Sequence, residues 1–149
     1  MQSARSENKD QFKSDERCSP HFSKDLHVGG GYLTVHQAVG DLIDFYNVQF
    51  YNQNGMAYDT CQSIFYASGG GIPGTSVFEI AKKGIPLNKL VVGKPISWDG
   101  VVNSGYMDPW IMATCLPDAK AKGWDAGVMG WQYSLDPSYQ WISALNTQL

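Results

Sequence analysis

The sequence predicts an α/β fold in which parallel strands alternate with helices, and a piece of a (β/α)8 barrel fits it best. Three observations carry this reading. After residue 28 the hydrophobic pattern switches repeatedly between helical and strand periods, giving the order helix, strand, helix, strand, helix, strand, helix. Leu90–Gly93 is short and almost wholly apolar, the mark of a strand buried on both faces. No G-x-G-x-x-G turn follows any strand, which weakens a doubly wound nucleotide-binding sheet, the other architecture with parallel strands and helical crossovers.

Each element has its own signal. Thr34 to Leu42 reads as a short amphipathic helix with Val35, Ala38, Val39 and Leu42 along its apolar face. Phe45 to Asn52 is rich in aromatic and branched residues and reads as a strand. Ser76 to Lys83 reads as a helix capped by Thr75 and stopped by Gly84. After the strand at Leu90–Gly93, residues 109–122 are mostly helical, with Pro117 expected to break the run or open a new helix. Gly127 to Tyr133 supplies a third strand and Pro137 to Asn146 a closing helix.

Composition sets the outer limits. With 149 residues, 43% apolar and 17% charged, the chain has the balance of one packed domain. Nineteen aromatic residues, five of them Trp, must fill a core or line a binding surface. A net charge of −3 argues against a nucleic-acid or anionic-membrane partner, both of which need a basic face. No apolar run is long enough to span a bilayer, and the polar start MQSARSENKDQFKSDER holds no signal core.

The chain divides near residue 28. Residues 1–27 carry ten charges and only two aromatics, Phe12 and Phe22, whereas residues 28–149 carry fifteen charges and seventeen aromatics. The expectation is a polar, disordered or unrelated segment over 1–28 followed by the folded unit over 29–149. His21 and His27, with no Cys or carboxylate cluster around them, read as solvated and not as metal ligands; no cofactor is implied. Cys18, Cys61 and Cys115 allow at most one internal disulfide. Cys61 with Cys115 is the better pair, and three buried free thiols are the standing alternative.

The most informative segment is the strand at 45–52. Alternation puts Asn47, Gln49 and Tyr51 on one face and Tyr46, Val48 and Phe50 on the other. Such a polar row is either a buried hydrogen-bond network or the lining of a polar ligand site at a barrel mouth. In the third strand Met129, Trp131 and Tyr133 share a face. A large ring beside amides and a phenol suits a sugar, which offers C–H faces to aromatics and a polar rim to amides. Taken alone, Trp131 suits a core as well as a platform.

Here the residues reach a family. Asp44-Phe45-Tyr46-Asn47-Val48-Gln49-Phe50-Tyr51-Asn52 resembles the sixth-strand motif of family 18 glycoside hydrolases, particularly fungal and plant-type class III chitinases. Leu90–Pro95, with Ser104-Gly105-Tyr106 and Asp108-Pro109, is similar to their seventh strand and following loop, and Gly127–Trp131 to their eighth. The resemblance covers residues 29–149. It implies the C-terminal part of a (β/α)8 TIM barrel, about strands six to eight with their helices. It also implies β-1,4-linked N-acetylglucosamine polymers (chitin or its oligomers) as substrate. Hydrolysis in this family is substrate-assisted: a glutamate protonates the leaving oxygen while the sugar's own acetamido oxygen attacks the anomeric carbon. By the resemblance Tyr51 and Gln49 position the acetamido group and Trp131 stacks under the sugar, with Met129, Asn47, Asn52 and Trp98 as further substrate-binding residues. It implies an extracellular location as well, although this chain shows no signal segment.

Two parts of the pattern are missing. The family's acid lies in a D-x-x-D-x-D-x-E run, and the chain's only glutamates are Glu7, Glu16 and Glu79. Glu79 is expected on a solvated helix face. Asp41-Leu42-Ile43-Asp44 imitates the first half of the run, but Tyr46 and Val48 stand where its later acids belong. Three strands also leave an incomplete barrel with two open edges, to be covered by a complementing half-barrel or by self-association. A non-catalytic chitin-binding protein and an unrelated small α/β protein are the rival readings.

Overall fold

The computed structural model describes Phe22 and residues 29–53, 58–69 and 72–149. Among these residues there is one sheet of three parallel strands in the order β1 (Tyr46–Gln49), β2 (Leu90–Pro95), β3 (Val128–Trp131). The helices α1 (Gly31–Val39), α2 (Val77–Ala81), α3 (Pro109–Ala121) and α4 (Gln140–Asn146) alternate with them, and a π-helical segment, Gln62–Tyr66, lies between β1 and α2. β2 is central and every one of its residues is buried, as its apolar sequence predicts.

The core lies between the sheet and the helices. Val48, Phe50, Leu90 and Val92 meet Ile64, Phe65, Val77, Ile80, Met112 and Leu116 there, all of them fully or almost fully buried. Trp124 is buried edge-on against Phe65, at a ring separation of 5.1 Å, and its indole N–H donates to the Leu90 carbonyl at 2.8 Å. Cys61, just before the π-helical segment, is bonded to Cys115 on α3 with their Cα atoms 5.3 Å apart. The pairing left open by the sequence is thus made between two helical elements of the outer layer.

Several expectations are corrected. The helix predicted over 109–122 does not break at Pro117: α3 runs through it. Proline costs a helix one hydrogen bond and a steric clash, about 3 kcal/mol. Burial of Met112, Ala113, Cys115, Leu116 and Ala119 on both sides of it, with the disulfide at Cys115, holds the segment in place regardless. The first helix begins at Gly31 and buries Leu33, while the predicted stripe of Val35, Val39 and Leu42 is 44%, 42% and 81% exposed. Helical periodicity located the apolar face, but no described element covers it.

The helix at α2 is capped by Ser76, not Thr75. Ser76 and Glu79 form a reciprocal capping box, and Thr75 instead donates to the Ile72 carbonyl and bonds Tyr58. Phe22 is the remaining correction, because it belongs to the core and not to a detached polar segment. It is 2% exposed, lies 5.3 Å from the rings of both Tyr32 and Tyr46, and its carbonyl accepts from Lys83. His21, His27 and the rest of 1–28 fall outside the described residues.

Candidate functional site

The sheet register assembles the site. Gln49 pairs with Gly93, and Gly93 with Met129, so these three residues form one row across all three strands. Pro95 pairs with Trp131 in the row two residues further toward the C-terminal ends. Alternation follows the sequence expectation: Tyr46 and Val48 are buried against the helices, Asn47 is exposed and Gln49 half-buried on the opposite face. Met129 is half-buried and Trp131 is 47% exposed, so the ring is available from solvent. The peptide joining Trp131 to Gln132 is cis.

Gly93 is small for a steric reason. A Cβ there would lie 2.8 Å from Met129 Cε and 2.8 Å from the Val48 carbonyl oxygen. The space over the central strand at this point is taken by the Met129 methyl group.

Tyr51 follows β1 and is 4% exposed. Its carbonyl accepts from two amides, Gln49 Nε2 at 3.3 Å and Gln53 Nε2 at 3.0 Å. Gln53 is 2% exposed, and its own Oε1 is buried with no hydrogen-bond partner among the described residues. Gly105, at φ +90°, lets the loop after β2 press directly on Tyr51, since a Cβ there would come within 2.5 Å of Tyr51 Cα. Asn52 is a loop anchor: its Oδ1 accepts from the backbone amides of Val102 and Asn103, and its own amide donates to the Ser104 carbonyl. Trp98 is 69% exposed on the same loop and lies tilted against Tyr106, with ring centroids 4.5 Å apart. Thus Gln49, Met129 and Trp131 share adjoining rows of one sheet face, while Asn52 and Trp98 stand on or against the loop above it.

Three residues with no role assigned from the sequence hold this end of the sheet. Gln53 and Tyr106 are two. The third is Lys94, wholly buried on the helix side, whose ammonium group donates to the carbonyls of Phe50, at 3.0 Å, and of Tyr58. Burial brings its pKa down to about 7, against a smaller upward pull from Asp59. The Phe50 peptide is therefore fixed at both ends, because its N–H donates to the Gly93 carbonyl at 3.1 Å. A lysine inside an apolar motif reads as a strand-end charge, and nothing local in the sequence announces the carbonyls waiting for it.

The acid is the outstanding question. Glu79, the only glutamate among the described residues, is not on a solvated face as expected. Its Oε2 accepts four hydrogen bonds, from the amides and hydroxyls of Ser68 and Ser76. Burial pushes its pKa up, but these bonds outweigh it and bring the group down to about 2. A carboxylate so held stays ionised and cannot protonate a leaving group near neutral pH. Among the described residues no cluster of three His, Cys, Asp or Glu could hold a metal, and no helix is long and apolar enough to cross a membrane.

No family model and no curated protein matches the sequence. Solved structures do match. The chain is similar to a GH18 chitinase from Pseudoalteromonas aurantia, with a TM-score of 0.68 and 25% identity over 88% of this chain and 44% of that one. It is also similar to a fungal endo-β-N-acetylglucosaminidase of glycosyl hydrolase family 18, with a TM-score of 0.59 and 23% identity over 81% of this chain and 39% of that one. The chain spans less than half the length of either. Three parallel strands in sequential order, helices on one side and these superpositions agree: the chain carries part of the family 18 glycoside hydrolase fold.

Proposed function

We propose that this chain forms the sugar-positioning side of a chitinase-type cleft for β-1,4-linked N-acetylglucosamine polymers and does not hydrolyse them by itself. The observation that carries this is the pair of adjoining rows, Gln49–Gly93–Met129 and Pro95–Trp131, on the face turned away from the helices. In this reading Trp131 stacks beneath one sugar, Gln49 and Tyr51 hold its acetamido group for attack on the anomeric carbon, and Met129, Asn47 and Asn52 flank it. Holding a nucleophile in an attacking geometry contributes several orders of magnitude in rate, but only when a proton donor completes the site. That donor comes from a complementing half-barrel seated on the outer edges of β1 and β3, which have no strand partner among the described residues. The Cys61–Cys115 bond supports an oxidising, extracellular setting.

Retention on chitin beads tests the reading. The chain should be retained, Trp131→Ala should pass through, and neither should release product from N-acetylglucosamine oligomers. Turnover by the chain alone, or retention unaffected by Trp131→Ala, defeats it. A second reading, a non-catalytic chitin-binding protein, is supported by the engagement of Glu79 in a helix cap. Hydrolysis restored by adding an acid-bearing half-barrel favours the enzyme; binding without restoration favours the second reading.

A further inference from the structure

The pairing of β1 with β2 ends at a lysine and a proline. In a parallel ladder the amides of alternate residues face alternate neighbours. On β2 those of Val92 and Ile96 donate toward β3, to the Gly127 and Trp131 carbonyls at 3.1 and 2.9 Å. The backbone nitrogens of residues 91, 93 and 95 therefore face β1. The Phe50 amide donates to the Gly93 carbonyl at 3.1 Å, so in this register the Phe50 carbonyl lies opposite the nitrogen of residue 95. That residue is Pro95, which has no N–H to give. Lys94 supplies the donor instead. Its side chain is wholly buried on the helix side, and its ammonium group donates to the Phe50 carbonyl at 3.0 Å and to the Tyr58 carbonyl. The rings of Phe50 and Tyr58 also meet edge-on at 5.1 Å, so one cation joins the point where the chain leaves the sheet to a buried point beyond Tyr51, Asn52 and Gln53. An ammonium group is costly to bury, and Lys94 makes no ion pair among the described residues. What it gives in return is geometry, because the carbonyl it holds belongs to the peptide whose nitrogen is that of Tyr51.

We propose that Lys94 is a positioning residue for the acetamido-binding part of the site: it replaces the ladder donor that Pro95 lacks and so fixes the peptide leading into Tyr51. This rests on the sugar-binding reading above. The test compares the chain, Lys94→Met, and Lys94→Met combined with Pro95→Ala, in which residue 95 regains an N–H for the Phe50 carbonyl. Two quantities are measured for each. One is the thermal midpoint; the other is the pair of dissociation constants for the tetramers of β-1,4-linked N-acetylglucosamine and of β-1,4-linked glucose, which carries a hydroxyl in place of each acetamido group. The chain should prefer the N-acetylglucosamine tetramer. Lys94→Met should lower that preference roughly tenfold by weakening that tetramer alone, and adding Pro95→Ala should recover most of the preference and part of the midpoint. An equal loss for both tetramers, an unchanged preference, or no recovery in the double variant overturns the positioning role. If Lys94→Met does not fold, the double variant decides: fold and preference regained together support the role, and the absence of either overturns it. If the unaltered chain binds neither tetramer, the sugar-binding reading falls by itself. A midpoint lost in Lys94→Met and recovered with Pro95→Ala then still upholds the ladder donor, whereas no recovery removes that as well.

Discussion

The two faces of the sheet are made from the same strands and differ in nearly every respect. Toward the helices, Val48, Phe50, Val92 and Lys94 are buried, and the polar groups of Lys94 and Trp124 are matched to backbone carbonyls. On the opposite face Asn47 and Trp131 are exposed and Gln49 and Met129 half-buried. The contrast separates two kinds of information in one chain. The helix side holds the packed core, while the other side leaves Asn47 and Trp131 open to solvent.

Substitutions on the two faces should therefore separate cleanly. The largest effect is expected from Trp124→Ala, which empties a fully buried indole site and orphans the Leu90 carbonyl; about 4 kcal/mol should be lost in denaturant unfolding. Replacing both Cys61 and Cys115 by Ala frees a 54-residue separation in the unfolded chain and should cost about 2–4 kcal/mol, read as a lower thermal midpoint.

Stability should also depend on pH through Lys94. Its folded pKa of about 7 lies below its ordinary 10.5, so the unfolded chain binds more protons across that interval and stability rises with pH through it. Lys94→Met should flatten the rise. Glu79 acts at the acid end in the opposite sense to burial alone. Lowered from 4.5 to about 2, it stabilises the fold above its unfolded value, and that contribution fades as pH falls through this range. Smallest of all, Gln49→Ala on the open face should shift stability by no more than about 0.5 kcal/mol while reducing retention on chitin. A stability loss there as large as that of the disulfide variant would erase the distinction between the faces.

The parts of this architecture visible in the sequence are those set by short-range pattern. Alternation in β1 sorted Tyr46 and Val48 from Asn47 and Gln49, and the apolar run of β2 announced its central place. The π-helical segment at 62–66 gave no such pattern and was not foreseen. Pro117 misled because the packing that holds α3 together comes from residues distant in the chain. Val35, Val39 and Leu42 misled in the reverse direction: a correct apolar stripe does not reveal whether anything covers it. In the candidate site, the sheet-face positions of Gln49, Met129 and Trp131 were legible by alternation. Lys94, Gln53 and Tyr106 were not, since their roles depend on which carbonyl, amide or ring the fold brings to them.

Gly93 joins two requirements in one residue. It sits at the seam of β1 and β2, facing the Val48 carbonyl, and directly beneath the Met129 methyl group. Adding a single methyl at this position would push a wedge into the seam and drive the Met129 side chain from its place in the same stroke. The seat of Met129 on the open face and the spacing of β1 and β2 are consequently one variable here, so neither can be altered at this position without the other.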